Sequence, residues 1–292
     1  MPHTKQQIQQ LLRAADVSPR HRWGQNFLVD LNLMRLLVGT AGLKGDETVL
    51  EVGCGTGSLT GLLAESAGAV AAVEIDRVLI NIAKSELAQF DNITFVEGDV
   101  LASKSIINPR VLDCITCSCK RLRGPFYLIA NLPYQAASPL IVNLLLNTNI
   151  PDAMFVTIQT EVAERMTAEP GRKTYGVLSI LMQSTGDVTK IRDLPPQAFW
   201  PSPRVQSTMI AWRRVEKKYR SIADMKLLKQ AIDLLLRHRR KKIRNCISDG
   251  LENADQSLVL RLLRESDIDP DARGETVSPK KFVQLATLWE KL

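Results

Sequence analysis

The sequence predicts an α/β fold, a mostly parallel sheet followed by a small all-helical domain. Six short apolar runs carry the first half of that expectation: TVLEVG, AVAAVEID, NITFVEGD, FYLIAN, AMFVTIQ and STMIAWRRV. They fall between about Thr48 and Arg214 and alternate with longer stretches of helical periodicity. Strands that are apolar throughout, separated by crossover helices, imply a sheet covered on both faces. From about Tyr219 onward the pattern is helical with no strong strand signal. The expected domains are therefore 1–216 and 217–292. A chain of 292 residues, 45% hydrophobic and 24% charged, is long enough for one large domain and a smaller one. No internal repeat or low-complexity segment stands out.

Composition narrows the class. The first 27 residues contain no apolar core followed by a small-residue cleavage site, and no apolar stretch approaches the roughly 20 residues of a membrane span. The expectation is a soluble, cytoplasmic monomer with no membrane partner. Five cysteines, three of them at Cys114, Cys117 and Cys119, do not resemble a secreted disulfide framework in a chain of this length.

Charge is concentrated. Residues 1–212 hold 19 basic and 19 acidic side chains, residues 213–244 hold 13 and 3, and residues 245–292 hold 6 and 9. The whole excess of +7 comes from the middle segment, where Arg237, Arg239, Arg240, Lys241, Lys242 and Arg244 follow the apolar pattern LLKQAIDLLL. Such a helix end suits a nucleic acid backbone. The competing reading is a solvated helical face.

In a parallel sheet, ligands bind beyond the carboxyl ends of the strands. The first run ends in GCGTG, where Gly53, Gly55 and Gly57 permit a sharp turn and close approach of a ligand. Their G-x-G-x-G spacing departs from the dinucleotide fingerprint. The second ends at Glu74, placed to accept from two ribose hydroxyls, and the third at Asp99, placed to accept from an adenine amino group. Each acid alone reads as a solvated loop residue. Three such features at three successive strand ends point to an adenosine-containing cofactor.

The fourth run ends in Asn131, Leu132, Pro133 and Tyr134. An aromatic exocyclic amine is a poor nucleophile because its lone pair is delocalised into the ring. The Asn131 side-chain carbonyl and the Leu132 main-chain carbonyl can together accept from its two hydrogens and favour a pyramidal nitrogen. Pro133 fixes φ and stiffens the turn, and Tyr134 offers a ring face to a base. Ser138 and Pro139 look like the cap and first residue of the next helix. The competing reading, a plain strand-to-helix turn capped by Asn131, leaves an exposed tyrosine without a reason.

The asparagine-leucine-proline-tyrosine turn, with VLEVGCGTGSLT and AVEID before it, resembles amino-group methyltransferases that use S-adenosyl-L-methionine. The ordered set RWGQNFLVD, NLPY, EVAERM, YGVLSILMQ, LPPQAFWPSPRVQS, KIRNCI and DPDARGETVSPKKFVQLA is more specific. It resembles the small-subunit rRNA adenine dimethyltransferase family over about Trp23 to Leu285. That resemblance implies a Rossmann-like methyltransferase sheet, S-adenosyl-L-methionine as methyl donor, and small-subunit rRNA in an assembling subunit as partner. It further implies dimethylation at N6 of two adjacent adenines in the 3′-terminal hairpin. By the same resemblance Asn26 and Leu28 help close the cofactor pocket, Gly53 lies against the methionine part, Glu74 holds the ribose, Asp99 the cofactor adenine, and Asn131 to Tyr134 the target base. Four prolines, Pro195, Pro196, Pro201 and Pro203, stiffen a loop expected to display Phe199, which would sandwich the adenine with Tyr134. Without the resemblance, Phe199 reads as a core plug. Arg20, Arg22 and Trp23 join the basic segment as candidate RNA contacts.

Such a reaction needs no general base in its first step, which agrees with His3, His21 and His238 all lying away from strand ends in the sequence. Where the family usually continues with Asn-Ile-Ser, this chain has Gln135, Ala136 and Ala137. The link from Asp99 to Asn131 is longer than usual and is expected to form an inserted loop holding partly buried thiols. A structural zinc needs four ligands and no fourth is near, so no metal is expected. Two alternatives belong beside this reading: the related large-subunit enzyme of the antibiotic-resistance type, and a non-catalytic RNA-binding assembly factor.

Overall fold

The computed structural model describes residues 3–20, 24–250 and 253–290. Arg22 and Trp23, two of the expected RNA contacts, lie outside the described residues. The central sheet has seven strands: β1 Thr48–Val52, β2 Ala69–Glu74, β3 Ile93–Glu97, β4 Phe126–Asn131, β5 Ala153–Gln159, β6 Gly186–Leu194 and β7 Ser207–Arg214. Their spatial order is β3-β2-β1-β4-β5-β7-β6, and β1 to β5 pair in parallel. The six apolar runs all form strands. β6 escapes the pattern because GDVTKIRDL buries only its two end residues, as a charged strand at a sheet edge can.

Helices α1 Lys5–Ala14 and α2 Leu31–Ala41 precede the first strand, and α3 Ser58–Ala64, α4 Arg77–Glu86, α5 Pro109–Leu122, α6 Tyr134–Leu145 and α7 Thr160–Thr167 lie between the strands. Short polar side chains start them. Asp30 accepts from the N–H groups of Asn32 and Leu33 at the head of α2, and Asp76 from that of Val78 at the head of α4, which satisfies donors that a helix leaves open. The cysteine segment is not an inserted loop. It is α5, begun by the Asn108 cap and Pro109, with Val111 and Ile115 buried, Cys114 and Cys119 half-buried and Cys117 exposed. Three residues at spacings of three and two along a helix splay around its axis. Among the described residues no group of three or more His, Cys, Asp or Glu side chains could hold a metal ion.

The chain divides elsewhere than after residue 216. One unit runs up to Ala163 and adds Thr189–Trp212; the other joins Glu164–Val188 to Arg213 onward. The reason lies inside the second unit. There α8 Val177–Thr185 packs with α10 Met225–Leu236 and α13 Pro279–Glu290. The fully buried Tyr175 donates its hydroxyl to the Val277 carbonyl at 2.8 Å, and the Gly171 N–H donates to the Glu275 carbonyl at 2.7 Å. α9 Glu216–Arg220, α11 Ile243–Gly250 and α12 Asn253–Glu265 complete that unit. No helix among the described residues is long and apolar enough to cross a membrane.

Candidate active site

Strand order reverses between β1 and β4, which makes the crevice beyond their carboxyl ends the place for a ligand. A cavity of about 870 Å3 opens there. It is lined by Asn26, Leu28, Gly53, Gly55, Glu74, Asp99 and the run Asn131 to Tyr134. These sequence-predicted residues come from separate stretches of chain, and the fold brings them together.

Gly53 and Gly55 hold φ values of +79° and +58°, conformations that side chains disfavour. A Cβ on Gly53 would lie 3.1 Å from Cγ of Pro133, so the two turns abut and the glycine is needed for that approach. Gly57 does not line the cavity; a Cβ there would meet Leu87 at 2.8 Å. Its φ of +90° and this packing both call for glycine.

Glu74, 5% exposed, accepts from the Gly55 N–H through Oε2 and from the Asp76 N–H through Oε1, both at 2.9 Å. Burial raises its pKa above the usual carboxylate range, and these backbone donors oppose that rise. The carboxylate is thereby aimed over the glycine turn. Asp99 is exposed and accepts from the Leu101 N–H at 2.9 Å through one oxygen. Glu51, which no strand-end argument singles out, also lines the cavity. It is 2% exposed, its Oε2 has no hydrogen-bond partner, and burial pushes its pKa up to about 8. An acid inside the otherwise uncharged, fully buried TVLEV strand is the signal that could have found it.

At the end of β4, Asn131 Nδ2 donates to the Asn26 carbonyl at 3.0 Å, while Oδ1 is buried without a partner. The Leu132 N–H donates to the Thr157 carbonyl on β5 at 3.1 Å. Helix α6 begins at Tyr134, directly after Pro133, and Pro139 lies inside it. Ser138 is therefore not its cap. The N–H groups of Ala136 and Ala137 already bond to the Pro133 carbonyl, which starts the helix well before the position that the Ser-Pro signal suggests. Tyr134 is half-buried rather than exposed, and its hydroxyl hydrogen-bonds Oγ of Ser207 on β7 at 2.8 Å.

Phe199 departs from expectation. It is 3% exposed, packed in the core with Leu33, Met34, Leu37, Phe155 and Met209, and does not line the cavity. Antiparallel pairing of Phe27–Leu28 with Phe199–Trp200 turns Phe199 inward, while the Trp200 ring stacks on Phe27 with centroids 6.2 Å apart. In this structure Phe199 thus occupies the core rather than the cavity wall. His3, remote in sequence, reaches the glycine turn: its N–H donates to Ser58 Oγ at 3.1 Å, Nδ1 hydrogen-bonds Thr56 Oγ1 at 3.2 Å, and Nε2 meets Glu86 at 3.1 Å.

The six basic residues belong to the helical unit, in and just after the turn that follows α10. Four are already ion-paired: Arg239 with Glu275 at 3.0 Å, Lys241 with Asp249 at 2.7 Å, Lys242 with Asp271 at 3.0 Å, and Arg244 with Asp271. Arg237 and Arg240 form no ion pair among the described residues.

A family model described as "Ribosomal RNA adenine dimethylase" matches residues 17–290. The chain is 36% identical over 279 residues to "Ribosomal RNA small subunit methyltransferase A" of Magnetococcus marinus, covering 96% of this chain and 95% of that one. It is 34% identical over 264 residues to the protein of the same name from Shouchella clausii, covering 90% and 87%. Among solved structures, a dimethyladenosine transferase from Plasmodium falciparum superposes with a TM-score of 0.72 at 21% identity, covering 90% of this chain and 96% of that one. The 23S rRNA methyltransferase ErmE superposes at 0.63 and 22% identity, covering 90% and 98%. At those identities the two structures share the fold with this chain.

Proposed function

The chain belongs to the ribosomal RNA adenine dimethylase family, and from that premise we propose that its cavity transfers methyl groups to N6 of two adjacent adenines in the 3′-terminal hairpin of small-subunit rRNA. It is an rRNA adenine dimethyltransferase that uses S-adenosyl-L-methionine. The observation that carries the site assignment is Asn131 Oδ1, a buried acceptor without a partner in the wall of the cavity. An orphaned buried acceptor is costly in a folded protein and marks a place where a ligand donor belongs.

The cavity fits the cofactor. Glu74 would take the ribose hydroxyls and Asp99 the adenine amine, with Gly53 and Gly55 admitting the ligand close to the backbone. The unpartnered Oε2 of Glu51 is suited to the amino group of the methionine part. When bound, the cofactor supplies a methyl group already activated by its sulfonium charge.

What remains for the protein is alignment. Asn131 Oδ1 and the Leu132 carbonyl accept from the two hydrogens of the target amine and direct its lone pair at the electrophile. Pro133, with φ −56°, fixes the turn that presents that carbonyl, and the Tyr134 ring lies against the base. Holding nucleophile and electrophile in line supplies much of the acceleration. No general base is required before transfer, since the amine proton is lost easily once the nitrogen carries the extra methyl. The adenine must leave its stack to enter, at a cost of a few kcal/mol that RNA contacts elsewhere offset.

The test is incubation with labelled S-adenosyl-L-methionine and two substrates, unmethylated small subunits and unmethylated large-subunit rRNA, with the label mapped by nucleotide. Dimethyladenine confined to the adjacent adenines of the small-subunit hairpin is the expected outcome. Label in large-subunit RNA would make the chain an enzyme of the resistance type. Tight RNA binding without label would make it a non-catalytic assembly factor.

A further inference from the structure

Among the described residues lining the cavity, Glu51, Glu74 and Asp99 are acidic and Lys104 alone is basic. The acids suit a cofactor that carries positive charge. The lone cation suits an anionic group. Lys104 sits in the turn of a small hairpin, where Leu101–Ser103 pairs antiparallel with Ile106–Ile107. The hairpin is tied to the helix that follows the target-base turn. Asn143 on α6 donates through Nδ2 both to the Lys104 carbonyl at 3.0 Å and to the Pro139 carbonyl at 2.8 Å. That tether uses the backbone of Lys104. Its side chain is exposed and makes no ion pair among the described residues. Ile106, two residues on, is 55% exposed, whereas Ile107 is 3% exposed, so the hairpin turns one isoleucine into the unit and the other out to solvent.

We propose that this hairpin is an RNA-gripping rim of the target-base pocket: the Lys104 ammonium contacts a backbone phosphate flanking the extruded adenine, and Ile106 covers the face of a neighbouring base. The inference rests on the rRNA reading above. An extruded nucleotide draws its own phosphates towards the mouth of the pocket, and a cation held beside α6 is placed to meet them. The clustered cations of the helical unit are less free for such a role, because four of the six already face carboxylates. A phosphate contact positions RNA and carries no sequence information, so Lys104 acts on affinity and register at this pocket.

The experiment uses the full chain and compares Lys104→Ala, Lys104→Glu, Lys104→Arg and Ile106→Ser with the unmutated protein. RNA affinity is measured across a salt series on the small-subunit 3′ hairpin, cofactor affinity separately, and methylation by nucleotide. Lys104→Ala is expected to weaken RNA binding several-fold and to lower the slope of log affinity against log salt by about 0.7 to 0.9, the contribution of one neutralised phosphate. Lys104→Glu should weaken it further, Lys104→Arg should retain most of it, and Ile106→Ser should weaken binding with the slope unchanged. Cofactor affinity should not move in any of them. Unchanged RNA affinity and slope in Lys104→Glu would overturn the proposal, and so would a loss confined to cofactor affinity. If the unmutated protein binds the hairpin but methylates no rRNA adenine, the functional reading fails instead, while the salt series still decides the rim.

Discussion

The side-chain amide of Asn131 donates to the backbone carbonyl of Asn26 across 3.0 Å, and this one bond decides which end of the amide is left for a substrate. The bond to Asn26 takes one N–H of the amide and fixes its orientation, and Oδ1 is left buried without a partner. A segment 105 residues earlier in the chain thus sets the polarity of the base-binding turn. Asn131→Ala is expected to lower kcat about 100-fold or more, the scale on which misplacing a reacting group acts, with cofactor affinity within a small factor of the original. Single-turnover methylation beside equilibrium cofactor binding reads both. Near-normal turnover would remove Asn131 from the chemistry.

Ser207 holds the Tyr134 hydroxyl at 2.8 Å and is itself 1% exposed, so the phenol is fixed to β7. Tyr134→Phe strands a buried serine hydroxyl, a loss on the order of 1 to 3 kcal/mol. Ser207→Ala in the unmutated background should slow methyl transfer about threefold to tenfold, from the ~0.5 to 1.5 kcal/mol of one hydrogen bond. In the Tyr134→Phe background it should change little. A double-mutant cycle on kcat reads the coupling, and strictly additive effects would show that the bond does not orient the ring for catalysis.

Glu51 makes the cofactor-free protein sensitive to pH. Its pKa stands at about 8 in the folded state against 4.5 for a free glutamate, so between those values the folded protein keeps a proton that the unfolded chain has lost. Stability therefore falls as pH rises from about 4.5 to about 8, by as much as ~1.4 kcal/mol per pH unit, and levels off above. Glu51→Gln should remove that fall and raise the thermal midpoint at pH 8 to 9 relative to the unmutated protein. Denaturation profiles of the two proteins from pH 5 to 9 are the check; parallel curves would mean that Glu51 is ionised throughout.

Arg237 and Arg240 are the cations of the basic segment without an ion pair among the described residues. Replacing these two with Ala should lower the salt slope of RNA binding by about 0.7 to 0.9 for each phosphate no longer neutralised. Replacing Lys242 and Arg244, which share Asp271, should cost less RNA affinity, because the carboxylate already offsets part of their charge. An equal loss from both pairs would show that the ion pairs open when RNA binds.

Local periodicity makes much of the fold legible. The runs TVLEV, AVAAVE and FYLIAN are apolar on both faces and so declare themselves buried parallel strands, and the residues just beyond them fall at one end of the sheet. β6 carries no such pattern, since an edge strand with only its end residues buried needs no apolar alternation. The cysteine segment hides its helix because that helix comes from Asn108, Pro109 and the buried Val111 and Ile115, not from the thiols that catch the eye. The Ser-Pro pair at 138 and 139 resembles a helix start, yet the preceding proline turn has already begun α6 at Tyr134.

Residues within a few positions of one another are enough to locate the strand ends, the glycine turn, the acids at 74 and 99 and the NLPY turn, which is why all of these can be read from the chain alone. Which atoms of those residues are free is settled by folding. Packing draws Asn26 onto Asn131, Ser207 onto Tyr134 and His3 onto the glycine turn, and it sinks Phe199 into the core. The first three of those contacts span 105, 73 and 53 residues of chain. They arise from the docking of whole elements against one another, which no short stretch of sequence encodes.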